Sequence, residues 1–330
     1  MASPHTYMFL NVLADRKLRP AALHLRLNAT DTALPVLLGS SEAFSGLSAR
    51  IPCVLAESEW SGLPGETTEA LQAAGCIVVA DDLICTIDDL GDLPLTAKAS
   101  YLAGSWYLRP PPKPGNAQHA SRALALQLLQ LVAADADTHE IEAIFRHDPS
   151  LSYHLLRLVN SLNRGGKRIT SFAQAILILG RQQLRRWLNL VLFAAHKEDP
   201  RSQMLTARVS IRARSMELLA REAGLDRAHQ ESAFMTGMFS LLGVLFGMPL
   251  GEVLKPLNIG DDLSAALLSM EGELGNILAI VIAAENADAS LAATHLARAG
   301  ISDAAFIETR IAAIEWMLDV VAETAGDAHV

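Results

Sequence analysis

The chain has 330 residues (35.4 kDa), of which 51% are hydrophobic and 19% charged, so intrinsic disorder is excluded and two cores are affordable in apolar material. A net charge of -9 argues against a chain-wide nucleic-acid coat or a basic membrane binder. Cys53, Cys76 and Cys85 lack CxxC spacing, so neither a disulfide scaffold nor a zinc site is expected, and a reducing cytoplasm fits.

The opening MASPHTYMFLNVLADRK has no basic stretch followed by a long apolar run, so no signal peptide is expected. Leu23, Leu25 and Leu27 alternate with His24 and Arg26, which predicts a strand with one buried face. Ile51 to Leu55 reads as a second strand. Glu66 to Ala74 reads as a helix closed by Gly75, and Cys76 to Ala80 as a buried strand. Strand, helix, strand is βαβ grammar and predicts a parallel sheet. Residues 1–108 are too few for a complete α/β barrel. Arg109 to Gly115, RPPPKPG, cannot sit inside a helix or central strand, so 109–117 is read as a linker.

The remainder, 118–330, reads as all helix. Leu124, Leu128, Leu131 and Val132 share a face, and Asp137 with Glu140 resembles a capping pair. Asp148-Pro149 opens a helix, Ser171 and Gln174 form a capping box, and Gly180 ends that helix. Leu184 to Ala195 carries one apolar stripe. Further helices are expected over Arg212–Ala223, Ser232–Gly247, Asp261–Ser269, Asn276–Glu285 and Ala304–Val321. Ser232 to Gly251 is uncharged over 20 residues, the length of a membrane span. No Lys/Arg cluster flanks it, so it is read as a core helix ending at Gly247-Met248-Pro249.

Three runs carry a family resemblance: HDPSLSYHLLRLVNS (147–161), ITSFAQAILILGRQQLRRWL (169–188) and ESAFMTGMFSLLGVLFGMPLGEVL (231–254). They resemble the HDOD domain, a catalytically silent relative of HD-type metal phosphohydrolases found in bacterial signalling proteins. Residues 71–83 and 101–112 resemble parts of an EAL domain, an α/β barrel that hydrolyses cyclic di-GMP. The Glu-Ala-Leu signature is absent. The resemblance implies a truncated, degenerate EAL-like partial barrel over 1–108, followed by an all-α HDOD domain, with a mostly α chain overall.

His147-Asp148 is not read as a metal motif, because Asp148 before Pro149 is a helix cap. Where catalytic HD relatives carry His-Asp within a helix, this chain has Ser240-Leu241, which cannot make a metal centre. Asp81 and Asp82 match the EAL family's metal-holding pair. Too few further oxygen ligands are in view, Glu57 and Glu59 being of uncertain register, so a solvated strand end is the preferred reading. From Pro149 to Lys197 there are eight Lys or Arg and no acidic residue. Arg164, Lys167, Arg168, Arg181, Arg185 and Arg186 are therefore candidates to meet a phosphate or an acidic protein surface. Pairing with the chain's own acidic C-terminal helices and a plain solvated face are, taken together, an equal alternative.

The expectation from sequence is a cytoplasmic, non-enzymatic signalling adaptor without a cofactor, acting through protein contacts of its HDOD domain. The alternative is a degenerate EAL-type sensor that binds cyclic di-GMP without hydrolysing it. Other signalling proteins are the expected partners, membrane and nucleic acid are not, and an incomplete barrel with open strand edges suggests a homodimer.

Overall fold

Met8–Ala14 (β1, MFLNVLA) and Pro20–Leu27 (β2, PAALHLRL) are separated by only the five residues Asp15 to Arg19. A parallel crossover needs a dozen residues or more, so a connection this short makes the two strands antiparallel neighbours. They pair from Met8 opposite Leu27 to Leu13 opposite Ala22. The Asp15 carboxylate holds the turn by accepting the backbone N–H of Lys17 at 2.8 Å and of Arg19 at 2.9 Å, with Leu18 at a φ of +62°. A computed structural model describes residues 7–27, 41–96, 98–110 and 199–325 except Pro256 and Asn258, with a few positions between 127 and 140.

The hairpin sits at the centre of a six-stranded sheet of order β4-β3-β2-β1-β6-β5. Cys53–Ala56 (β3) and Ile77–Val79 (β4) extend it in parallel beyond β2. On the other side Tyr101–Ala103 (β6) pairs antiparallel with β1 and parallel with Ile84–Thr86 (β5). Short helices connect these strands at Glu42–Arg50 (α1), Glu57–Ser61 (α2) and Gly65–Ala73 (α3). The parallel sheet of an EAL-like partial barrel expected from sequence is therefore corrected to a mixed half-barrel sheet, which does not establish an EAL domain. The physical reason is β1, which reverses the sheet's direction and which the βαβ reading did not include. The expected buried strand at Cys76 to Ala80 is also corrected: β4 is an edge strand, with Ile77 48% exposed.

The helical layer begins with Ser202–Glu222 (α4), buried along most of its length. Arg227–Phe239 (α5) crosses it where Gly237 lies against Ala213; a Cβ on Gly237 would come within 2.5 Å of the Ala213 Cα. The single helix expected over Ser232–Gly247 is two, because the chain breaks after Ser240 and resumes as Leu242–Phe246 (α6), closed by Gly247 at a φ of +63°. Leu250–Leu254 (α7), Asp261–Ser269 (α8), Gly272–Asn286 (α9), Ala289–Ala299 (α10) and Asp303–Ala325 (α11) complete it. The sequence reading had no helix at α10. Asp261 to Asn286 is long and apolar enough to cross a membrane by length and composition. Half of that window is buried inside the fold, and Met270 in the left-handed region separates α8 from α9. Of the helix expected at 124–132 only Gln127, Gln130 and Leu131 are described, and they are helical; those expected at 149–159, 171–180 and 184–195 lie outside the described residues.

Sheet and helices share their cores. Met8, Leu10, Leu23 and Leu25 of the hairpin pack in one cluster with Ile211 and Met216 of α4, Ile277 of α9 and Phe306 and Ile314 of α11. Phe306 meets Tyr7 and Phe9 edge-on, with ring centroids 5.9 and 6.4 Å apart. On the other flank Trp106 and Tyr107, in the turn after β6, pack with Met204 and Val209 of α4. The buried Arg201 ties the same seam, holding Asp199 at 2.7 Å and donating to the Arg109 carbonyl. Phe306→Ala is expected to cost about 3–5 kcal/mol in chemical denaturation, as fully buried phenylalanines do. Gly237→Val is expected to unfold the helical layer, because backbone atoms rather than a flexible side chain occupy the space; a variant as stable as the parent would contradict the close crossing.

Candidate functional site

The acidic residues singled out in sequence lie at the carboxyl ends of β3 and β4, where Asp81 and Glu59 are engaged locally. Asp81 opens the exposed turn after β4, and its Oδ1 accepts the Ser58 backbone N–H at 3.0 Å and the Ser58 hydroxyl at 2.8 Å. Those two donors hold its carboxyl below the usual carboxylate range. Asp82 is exposed beside it. Glu59 Oε2 lies 2.8 Å from His24 Nε2 and accepts the Ala56 N–H at 3.0 Å. Among the described residues, no group of three or more His, Cys, Asp or Glu is placed to hold a metal. Arg164, Lys167, Arg168, Arg181, Arg185 and Arg186 lie outside the described residues. Cys53 and Cys76 are buried, and burial pushes each thiol up to about 12, with Cys76 adding to the effect at Cys53. Neither is a nucleophile near neutral pH.

Ser240 and Leu241 point to the most elaborate polar site. Leu241 is core, 3% exposed. Ser240 Oγ accepts from Arg212 Nη1 at 2.8 Å and donates to the Gly237 carbonyl at 2.7 Å. Arg212 in turn grips Glu285 with two donors, Nε to Oε1 at 2.9 Å and Nη2 to Oε2 at 2.5 Å. Arg208, one helical turn earlier on α4, reaches the same Oε2 at 3.3 Å and donates from Nε to the Tyr107 hydroxyl at 2.9 Å. The sheet joins from the other side. Asn11 of β1 donates through Nδ2 to the Glu285 carbonyl at 2.7 Å, and Arg310 of α11 donates to the Leu10 carbonyl at 3.1 Å. Glu285 thus connects α9 to β1 through its backbone carbonyl, and to α4, and through Arg212 and Arg208 to α5 and the turn after β6, through its carboxylate.

Burial alone would raise the Glu285 pKa. Arg212 and then Arg208 override it and bring the carboxyl down to about 2. Burial lowers Arg208, but Tyr107 and Glu285 more than restore it. Arg310 is brought down to about 10, first by burial and then by Arg208, against the pull of Glu285. These residues do not fit a divalent ion. At Ser240, expected from sequence to stand where HD relatives carry a metal-binding pair, the Arg212 guanidinium donates to the hydroxyl, and a second cation there is repelled.

Sequence reasoning missed Glu285, Arg208, Arg212 and Arg310 as a group. The signal was present in part: Glu285 ends an apolar run (VIAAE), and Arg310 lies between Ile307 and Ile311 on an apolar helix. A charge on a buried face calls for a partner.

Because the Glu285 pKa is depressed on folding, its contribution to stability is present above pH 4.5 and is lost as pH falls toward 2. Glu285→Gln is expected to lose about 3–5 kcal/mol at pH 7, the usual cost of stranding a buried partner. The variant's stability curve should also flatten between pH 4.5 and 2, measured by denaturation across that range. An unchanged slope would assign the acid sensitivity to other carboxylates.

Comparison with known proteins bears on the helical part. Residues 121–251 match the HDOD domain family, a span that includes α4, α5 and α6. A Vibrio cholerae serotype O1 protein, cyclic di-GMP phosphodiesterase CdgJ, is 31% identical over 199 residues, covering 60% of this chain and 46% of the relative. Uncharacterized protein YuxH of Bacillus subtilis strain 168 is 30% identical over 157 residues, covering 47% of this chain and 38% of that protein. The matched regions span less than half the length of either relative. A crystal structure from Shewanella amazonensis SB2B aligns with a TM-score of 0.40 at 18% identity, covering 62% of this chain and 93% of that one, too distant to carry a fold assignment. The expectation of a non-enzymatic protein is corrected by these findings, since a relative of this chain is named a phosphodiesterase. That expectation rested on two motif positions, while 141–198 of the matched span lie outside the described residues. Residues 121–251 are an HDOD domain, and the chain is homologous to a protein named for cyclic di-GMP turnover.

Proposed function

We propose that this chain is a cytoplasmic signalling regulator linked to cyclic di-GMP, whose HDOD helices act on other signalling proteins. The observation that carries the signalling reading is the HDOD match over 121–251, and the name of the Vibrio relative supports cyclic di-GMP as the associated ligand. The proposed modules are 1–108 and 118–330, joined through 109–117. The cations Arg164, Lys167, Arg168, Arg181, Arg185 and Arg186 are the proposed contact face for an acidic partner.

The geometry favours coupling between the modules. A ligand changes an equilibrium only through two states that it binds differently. The Glu285 cluster is suited to link them, because Glu285 holds the Asn11 side chain of β1 through its backbone carbonyl, and the two arginines on its carboxylate reach Ser240 of α5 and the Tyr107 hydroxyl. A shift of the sheet against α4 breaks buried charge-assisted bonds and is felt at Ser240 in α5. A homodimer is also proposed, with the open sheet edges β4 and β5 as the faces available for pairing.

Thermal unfolding with cyclic di-GMP and Mg²⁺ tests the ligand. Saturating ligand is expected to raise the Tm in a concentration-dependent way, with a gain of about 2.7 kcal/mol at a hundredfold excess over Kd. Chromatography of the same mixture reports whether the nucleotide is cleaved. A Tm that does not move at saturation would remove cyclic di-GMP from the proposal.

A further inference from the structure

Three of the five large apolar side chains that the described residues expose lie on one stretch of surface: Met248, 36% exposed, Leu268, 54%, and Met270, 46%. Met248 is in the turn between α6 and α7, and Leu268 and Met270 lie at the end of α8. The two regions adjoin, because a Cβ on Gly251 of α7 would lie 3.8 Å from Leu268 Cδ2. Single exposed hydrophobes are ordinary, but a cluster of them on a polar surface marks an interaction site.

Met270 is costly to the fold where it stands. It closes α8 in the left-handed region at a φ of +58°, a position that glycine fills without strain after α6 and α10. A half-exposed methionine there strains the backbone without burying its side chain. Both methionine turns are held in place by close backbone approaches. A Cβ on Gly275 would come within 2.3 Å of the Met270 carbonyl carbon, and one on Gly243 within 2.9 Å of the Met248 carbonyl oxygen. A surface fixed in this way binds at a lower entropic cost than one that must first be ordered.

Charge decides what fits. Glu252 of α7, Asp261 and Asp262 of α8, and Glu271 and Glu273 at the start of α9 are all exposed, and Lys255 is the sole Lys or Arg from Glu252 to Asp288. Such a rim repels acidic protein surfaces, nucleic acid and anionic lipid. Its complement is a segment whose apolar side chains are bordered by Lys or Arg, and flexible methionine side chains adapt to the face of such a helix.

We propose that the surface formed by Met248, Leu268 and Met270 docks a basic amphipathic helix of a partner protein, with the helix's apolar face on these side chains and its cations against the acidic rim. This is a second contact surface, opposite in charge to the one proposed over 164–186. It is independent of that face and of the cyclic di-GMP reading.

The test uses the full chain and two fluorescent synthetic helices, one with a leucine face bordered by lysine and one with the same face bordered by glutamate. Anisotropy is expected to show saturable binding of the lysine peptide that weakens with added salt, and binding of the glutamate peptide weaker by about tenfold or more. Met270→Gly removes one anchor and relieves the turn. It is expected to leave the Tm unchanged or raised while weakening the lysine peptide about tenfold, the scale of an interface hot spot. Equal binding of the two peptides, or binding of neither, would overturn the proposal, as would equal affinity in the parent and Met270→Gly. If Met270→Gly does not fold, Leu268→Glu at its exposed position is expected to show the same loss, and unchanged affinity there overturns the proposal. A parent dimer in sedimentation that Leu268→Glu dissociates would assign the surface to a second copy of the chain instead.

Discussion

The double hydrogen bond between Arg212 and Glu285 is the constraint on which the rest of the arrangement depends. A carboxylate on α9 with 9% exposure is tolerable only because guanidinium donors meet it in fork geometry. Arg212 can do so only if α4 runs through the middle of the molecule, with α5 close enough for Ser240 to take a further donor. That closeness is why Gly237 stands against Ala213, where no side chain fits. Removing one partner strands the others, so the cluster acts as a unit rather than as a set of separate pairs.

The same unit explains how an open sheet is retained. A six-stranded sheet whose outer strands, β4 and β5, have three residues each has little independent stability. Here its central hairpin is covered by α4 and α11, with Phe306 against Tyr7 and Phe9 supplying apolar contact. The polar seam fixes the register of that contact. Asn11 and the Leu10 carbonyl must meet Glu285 and Arg310 respectively, and a one-residue slip of β1 would turn both away.

Parts of this were legible in the sequence, for identifiable reasons. The alternation at Leu23 and Leu25 marked β2 because one face of that strand is buried and the other carries His24 and Arg26. The helix expected over Asp261–Ser269 is found with those bounds as α8. β1 was missed because MFLNVLA is buried almost throughout and shows no alternation, and without it the sheet read as parallel. α10 was missed because ASLAATHLARA has few large apolar residues. The break after Ser240 depends on contacts with α4 that no local pattern encodes. The cluster itself draws on Asn11, Tyr107, Arg212, Glu285 and Arg310, residues up to 300 positions apart. Glu285 and Arg310 stand as charges in apolar runs, but only the fold brings these residues into one network.

The claim at the centre of this account is that the Glu285 cluster couples the sheet to the helices. Native-state hydrogen exchange on the full chain, parent against Glu285→Gln, measures it most directly. If the coupling is real, protection falls together in β1, α4 and α9, because one cooperative unit has been loosened. A loss confined to α9, with the β1 amides as protected as before, would contradict it.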